Sequence, residues 1–367
     1  MSIYPHETGK RLTTARYTLR NEQNGLTVHD RAEHLFYFYE GIFMEDLADH
    51  SGQIPDKSLE NLTDGNRERL TKNAQSDNPF NICWMISGTC NLDCLYCFAE
   101  NKMADAGKNR CDEKETARQI LRLKPMCITL TGGEPTLNPK LGEILSLVKG
   151  ETSTILDTNG TTPQLAKLIP ALKEAGTAVR LTVDILDDDV LGRVRPRIES
   201  GKKEGKTAEA EPQTAILKRN IEALLRAEIP VVIHSVLTRY TVGKLEETAE
   251  ELIRLGVKRW HFYPVNWSMK CKDIYEEIKV GREEACNYAD ALAERYGNEL
   301  KITCPRNDIG FRERSVLLID SSGRFLVDTV HDGSRFIGKD PTHPQKDEIL
   351  SEMNFELHKQ AYLCNYW

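Results

Sequence analysis

Nowhere in the chain do about eighteen apolar residues run together, and its first twenty residues hold no long apolar stretch. The sequence therefore reads as having neither a membrane span nor a secretory signal, and a cytoplasmic location is the expectation. A basic block is missing too. The 49 Lys and Arg against 56 Asp and Glu leave a net charge of −7 spread along the chain, which argues against nucleic acid and for a peptide or small molecule as partner. Without an export signal, the 10 cysteines are read as thiols, metal ligands or redox groups rather than a disulfide framework, because the cytosol keeps thiols reduced.

What is there suffices for a sizeable core: 367 residues, 40% hydrophobic and 29% charged, fit one large domain plus small ones. Six short runs rich in β-branched and apolar residues, 81–87, 126–131, 152–158, 178–185, 230–238 and 258–265, alternate with amphipathic stretches such as 141–149 and 215–227. Repeated βα units of this kind predict an α/β fold with a parallel sheet. Six units are too few to close an eight-stranded barrel, so a partial (β/α)6, TIM-like barrel is expected, with its working groups at the C-terminal strand ends.

Ahead of the barrel, in 1–77, segments 14–20 and 26–30 flank an Asn24-Gly25 turn signal, 33–39 is strand-like and 42–50 is an acidic helix candidate. These describe a small β-hairpin and helix domain, with the polar 56–78 as linker. The barrel occupies 78–265, and the Gly-, Lys- and Glu-rich 199–213 reads as an exposed loop. Beyond it, 266–367 forms a short α+β extension: a helix at 282–296, a strand near Lys301, a hairpin joining 316–319 to 324–327 across Ser321-Ser322-Gly323, and a final helix.

Seven cysteines are scattered singly, whereas Cys90, Cys94 and Cys97 fall within eight residues just after the first barrel strand. Three thiolates on one loop can wrap a single iron-sulfur cluster and leave one iron open, where four would saturate a cubane. A structural zinc wants a closed four-ligand shell, and no fourth Cys or His lies nearby.

The C-x3-C-x2-C loop with Tyr96 before its last cysteine, followed in order by Thr131-Gly132-Gly133-Glu134-Pro135 after the second strand, resembles the signature of the radical S-adenosylmethionine (radical SAM) superfamily. The resemblance covers roughly residues 78–265 and implies the partial barrel, one 4Fe–4S cluster on Cys90, Cys94 and Cys97, and S-adenosylmethionine (SAM) as cofactor. It further implies reductive cleavage of SAM to a 5′-deoxyadenosyl radical that takes a hydrogen atom from substrate. Gly132 and Gly133 would let the backbone approach the methionine moiety, and Glu134 would accept from its ammonium. Asn159, Thr182 and Asp184, at the ends of the third and fourth strands, match positions of ribose and methionine contacts, although Asp157-Thr158-Asn159-Gly160 is equally a helix cap and turn. Arg195 matches an arginine that pairs with the SAM carboxylate in peptide-modifying members, and Tyr96 or Phe98 would pack near adenine. A one-electron reductant such as flavodoxin or ferredoxin is the implied protein partner.

The N-terminal hairpin is similar to the peptide-recognition domain of enzymes that modify ribosomally made peptides, which add a leader peptide as a strand to a sheet edge; a hairpin merely capping the barrel is the competing reading. The C-terminal hairpin resembles the opening of their twitch or SPASM extension. Those extensions hold auxiliary clusters through closely spaced cysteines, whereas only Cys304 and Cys364 follow Tyr288 here. The expectation is a single cluster acting on a precursor peptide, with a small molecule as the alternative substrate. Lacking a second electron acceptor, outcomes that return a hydrogen atom gain weight, with Cys271, Cys286, Cys304 or Cys364 as candidate donors. His234, Ser235, His261, Tyr263, Asn266 and Trp267 fall at or beyond the last two strands, with His234 and His261 the candidate substrate contacts and Trp260 and Phe262 facing outward.

Overall fold

The computed structural model describes residues 6–14, 16–33, 35–49, 51–65, 74–99, 111–198, 211–306, 313–329 and 333–363. Strands β1 (Arg11–Thr13), β2 (Tyr17–Asn21), β3 (Gly25–Asp30) and β4 (Leu35–Glu40) form an antiparallel sheet in that order, followed by helices α1 (Met44–Leu47) and α2 (Asp56–Gly65). The Asn24-Gly25 turn is where the sequence places it: β2 and β3 pair from Tyr17↔Asp30 to Asn21↔Leu26. A Cβ on Gly25 would lie 2.2 Å from the Tyr39 carbonyl, so the hairpin needs glycine there. Two expectations change. The acidic helix of 42–50 is a single turn, and the supposed linker begins with a ten-residue helix whose Leu59 and Leu62, three positions apart, pack under the sheet beside Tyr17, Leu19 and Val28.

Six parallel strands follow, side by side in chain order: β5 (Asn81–Ser87), β6 (Cys127–Gly132), β7 (Ser153–Thr158), β8 (Ala178–Thr182), β9 (Val231–Leu237) and β10 (Arg259–Pro264). Between them run α3 (Glu113–Arg122), α4 (Leu141–Val148), α5 (Gln164–Ala175), α6 (Asp188–Val194), α7 (Gln213–Arg226) and α8 (Leu245–Leu255). Each strand turns alternate residues to opposite faces. The outward set, including Trp84, Leu130, Leu156, Leu181, Ile233 and Phe262, packs with the helices into one continuous apolar core. At about 1.5 to 3 kcal/mol per fully buried large side chain, that core dominates the stability of the fold. Trp260 also faces outward, and its buried indole is satisfied by Ser235 Oγ at 2.6 Å. Ser235 is thereby on the helix side, not the substrate side.

The C-terminal segment continues the barrel sheet at both edges. After α9 (Tyr275–Ile278) and α10 (Arg282–Tyr296), strand β11 (Lys301–Thr303) pairs parallel with β10, and β12 (Glu313–Ile319) pairs parallel with β5. Eight parallel strands therefore run consecutively, and β13 (Phe325–Thr329) and β14 (Gly333–Phe336) continue the sheet antiparallel beyond β12. The expected hairpin is there, with Leu317↔Val327 and Ile319↔Phe325 in register. Helices α11 (Lys346–Glu352) and α12 (Phe355–Leu363) follow, α12 lying against β12 and β4. The sheet curls. The curvature is that of the open barrel, with the helices between the strands packed on the outer face.

The N-terminal sheet seals the strand-start end of this partial barrel. Phe36 and Phe38 of β4 pack on Phe80, Met126 and Ile155, and Thr18 meets Ser153 Oγ at 2.6 Å. Arg20 donates to the carbonyls of Pro79, Asn78 and Lys124. Most of the loop expected at 199–213 lies outside the described residues, as does Cys364. Among the described residues, no helix is long and apolar enough to cross a membrane.

Candidate functional site

The loops that leave β5, β6, β7 and β8 meet at the opposite end. The thiol loop is pinned by main-chain hydrogen bonds to the segment after α6: Asp93 N to Pro196 O (2.8 Å), Leu95 N to Val194 O (3.0 Å) and Ile198 N to Asn91 O (3.0 Å). Lys270 adds an ion pair to Asp93 at 2.6 Å. Cys90, Cys94 and Cys97 are all half-buried, and Cys90 Sγ accepts from Leu92 N at 3.4 Å and Asn159 Nδ2 at 3.8 Å. Burial pushes the Cys94 thiol up to about 12 despite the nearby Arg195, so without metal it keeps its proton and a bound cluster would displace it.

Among the described residues no three His, Cys, Asp or Glu side chains converge on one point as a single metal ion requires. A cubane spreads its ligands over different irons, and three soft thiols on one held loop fit that wider shape better than a mononuclear zinc shell.

Gly132 ends β6 at φ 142°, where a Cβ would lie 2.3 Å from the Ser87 carbonyl, so only glycine lets the two strands close here. The next two amides continue the same contact, Gly133 N to Ser87 O and Glu134 N to Thr89 O, each at 2.8 Å. Glu134 is the next residue of the same loop. It is fully buried: Oε1 accepts from Thr136 N (3.0 Å), Thr136 Oγ1 (2.5 Å) and Thr158 Oγ1 (2.6 Å), and Oε2 accepts from Asn159 N (2.8 Å). Its role here is to tie the glycine loop to the end of β7, with one lone-pair direction left on Oε2. Asn159 passes the linkage on, bonding Asn91 Oδ1 of the thiol loop at 2.8 Å.

Arg195, fully buried, closes the network. It donates to Thr182 O at 2.5 Å and Asn159 O at 3.0 Å, while its Nε, 3.9 Å from Asp184 Oδ2, has no hydrogen-bond acceptor among the described residues. Such an orphaned N–H in a buried guanidinium is what an anionic ligand would satisfy. Burial alone would lower this group, yet Tyr96, Asp184 and Cys94 beside it hold it above its ordinary value. Burial raises Asp184, offset in part by Arg195 and by Tyr96, whose hydroxyl donates to it; Val236 N donates to the other oxygen at 2.8 Å. Tyr96 therefore anchors the thiol loop to β8, and Phe98 is 69% exposed at its rim.

Of the candidate hydrogen donors, Cys286 and Cys304 adjoin each other and Cys271 stands apart from them. Cys271 is buried in an apolar cluster with Val265 and Ile278, and Cys286 of α10 points at the Cys304 and Pro305 carbonyls on the helix side of β11. The thiols that the strand alternation turns inward are Cys83 and Cys127, which are not among the candidate donors. His234 and His261 do face inward, their rings stacked at 5.4 Å, with Tyr263 5.0 Å from His234. Burial pushes His261 down to about 3, so it is neutral. Trp267 is 45% exposed past β10.

Residues 84–252 match the model of the Radical SAM superfamily. A probable GTP 3′,8-cyclase of Methanococcus aeolicus is 30% identical over 207 residues, 54% of this chain and 64% of that protein. An AdoMet-dependent heme synthase of Methanosarcina barkeri is 27% identical over 236 residues, 63% of each. The chain thus spans less than two thirds of the curated relatives it matches. Among solved structures, Streptococcus suis SuiB bound to its precursor peptide SuiA aligns with a TM-score of 0.59 at 13% identity, covering 86% of this chain and 82% of that one. The AdoMet-bound anSMEcpe aligns at 0.56 and 18%, covering 77% and 82%; both likenesses concern the fold. Residues 84–252 thus carry the match to the radical SAM superfamily, whose members use a 4Fe–4S cluster and SAM.

Proposed function

We propose that Cys90, Cys94 and Cys97 hold the cluster with one iron left open, and that Gly132, Gly133, Asn159, Thr182, Asp184 and Arg195 form the floor for SAM beside it. The observation that carries this is the pinned three-thiol loop standing against a buried arginine whose Nε has no acceptor. When bound, cluster and SAM supply one-electron cleavage of the sulfonium and a 5′-deoxyadenosyl radical able to abstract hydrogen. The chain's own residues do the positioning. Glu134 and Asn159 lock three loops into one rigid floor, Arg195 offers Nε to a carboxylate, and Tyr96 with Asp184 keeps the thiol loop on β8.

The substrate we infer is a ribosomally synthesised precursor peptide, with electrons from a flavodoxin or ferredoxin. Support comes from the likeness to SuiB, which extends over 86% of the chain and so beyond the barrel, and from anSMEcpe solved with bound peptide. A small-molecule substrate is favoured instead by the names of the curated relatives. Anaerobic reconstitution should load about four irons, and SAM with dithionite should yield 5′-deoxyadenosine. Neither iron nor cleavage in folded protein would sink the proposal. Consumption of a peptide encoded beside the gene, set against nucleotide and porphyrin panels, decides between the substrates.

A further inference from the structure

The inner face of the sheet carries chemistry that the cofactor floor does not use. In a packed barrel that face is filled by branched aliphatic layers. Here β7 and β8 place Asp157 and Arg180 opposite each other in register, joined by two hydrogen bonds, Nε to Oδ1 at 2.5 Å and Nη2 to Oδ2 at 2.6 Å. Their neighbours Leu156, Val179 and Leu181 belong to the outer core, so this pair points inward. Both strands are interior to the sheet and covered outside by helices, yet the two side chains keep 22% and 32% of their surface accessible. That surface opens into the hollow of the partial barrel.

A guanidinium has five N–H donors. Asp157 takes two of Arg180's, and the Nη1 edge, with the second Nη2 hydrogen, meets no acceptor among the described residues. Arg20, at the sealed end, is the internal control: Nε donates to Glu22, Nη1 to two carbonyls, Nη2 to a carbonyl and a hydroxyl, so no donor is left over. Arg180 thus has the geometry of a guanidinium braced on one edge and presented on the other. Asp157 neutralises it, and the nearby His261 is uncharged. The hollow therefore offers directed donors without net positive charge, which suits a monoanion that accepts two parallel bonds better than a phosphate dianion.

We propose that the open edge of Arg180, held in plane by Asp157, receives a carboxylate of the substrate inside the partial barrel, with His261 and Tyr263 lining the adjoining wall. Asp157 and Arg180 each precede Asn159 and Thr182 by two residues, so the anchor lies about 7 Å along the strands below the cofactor floor. The substrate carbon that reacts lies between the two layers. This assignment takes its reaction from the radical SAM reading but its binding claim stands on Arg180 alone. The carboxylate has two sources, an acidic side chain or C-terminus of a peptide, or a small carboxylic acid.

The test is calorimetric titration of the reconstituted, SAM-loaded protein with N-acetylglutamate methylamide, its glutamine isostere, and glutarate. The acid is expected to bind about tenfold or more tightly than the isosteric amide, as charge-assisted bonds require. Arg180→Lys, which keeps charge but loses the fork, should shrink that preference. The doubly neutral Asp157→Asn/Arg180→Gln pair, which leaves no buried lone charge, should erase it while iron content and SAM affinity stay at the wild-type level. Tighter binding of the blocked peptide acid than of glutarate assigns a peptide source, and the reverse a small acid. Equal binding of acid and amide, no binding of either up to about 10 mM, or a preference that survives in the double variant overturns the proposal. Loss of iron or of SAM binding in the wild type would instead remove the cofactor reading, so the two failures are told apart.

Discussion

The two ends of the partial barrel use the same residue types to opposite effect. At the strand-start end, Arg20 is wholly buried, paired with Glu22 at 2.8 Å and bonded to three carbonyls and a serine hydroxyl. At the strand-finish end, Arg195 is equally buried but keeps Nε unpartnered. A guanidinium that is satisfied in full holds a fold together; one left short beside the thiol loop has a donor to give to something that is not protein. The contrast separates structural from functional arginines more sharply than burial does, since burial is the same for both.

The comparison breaks first at the thiols. Replacing Cys90, Cys94 or Cys97 with serine should reduce bound iron and 5′-deoxyadenosine to background, while the apoprotein keeps its unfolding midpoint, because main-chain bonds to Val194, Pro196 and Ile198 hold the loop. A large drop in that midpoint would mean that the thiols serve the fold instead.

At the sealed end the effect should fall on stability alone. Arg20→Met strands Glu22 as a buried lone carboxylate and should cost about 3 to 5 kcal/mol in denaturant titration, with SAM affinity of the folded fraction unchanged. At the open end Arg195→Lys removes the fork that spans Thr182 and Asn159. It should weaken SAM binding by about 10- to 100-fold, the worth of one or two charged hydrogen bonds, and unfold more easily by less than Arg20→Met. If the two variants trade signatures, the division of the ends is wrong.

Much of this division was legible beforehand because it rests on local pattern. The six apolar, β-branched runs from 81 to 265 alternate with helical stretches, a helix reads at 282–296, and three cysteines in eight residues stand out against seven single ones. What stayed hidden depends on register. Arg180 reads as a lone charge in an apolar strand until β7 sets Asp157 opposite it. The tie from Glu134 to Thr158 and Asn159, more than twenty residues on, shows only once β6 and β7 lie side by side. The joining of β11 and β12 to the barrel strands is non-local pairing, and the polar composition of α2 hid its Leu59–Leu62 stripe.

The smallest effect tests whether the sealed end is purely structural. His29 is fully buried between the N-terminal sheet and the barrel, stacked on Phe36 at 4.2 Å, with neither ring nitrogen bonded, and burial pushes it down to about 3. Its neutral form is the one that folds, whereas the unfolded chain takes up a proton near pH 6.5. Between pH 6.5 and 3 the unfolded state therefore binds more protons, and stability falls as pH falls; His261 and His358, pushed down to about 3 and 4, act in the same direction. His29→Leu should raise stability at pH 7 by about 1 kcal/mol, by removing two unpaired polar atoms. It should also flatten the loss between pH 6.5 and 5 by about 2 kcal/mol. A variant less stable than wild type at pH 7 would show that the imidazole has a partner role at this end, and the line drawn between satisfied and waiting groups would have to include it.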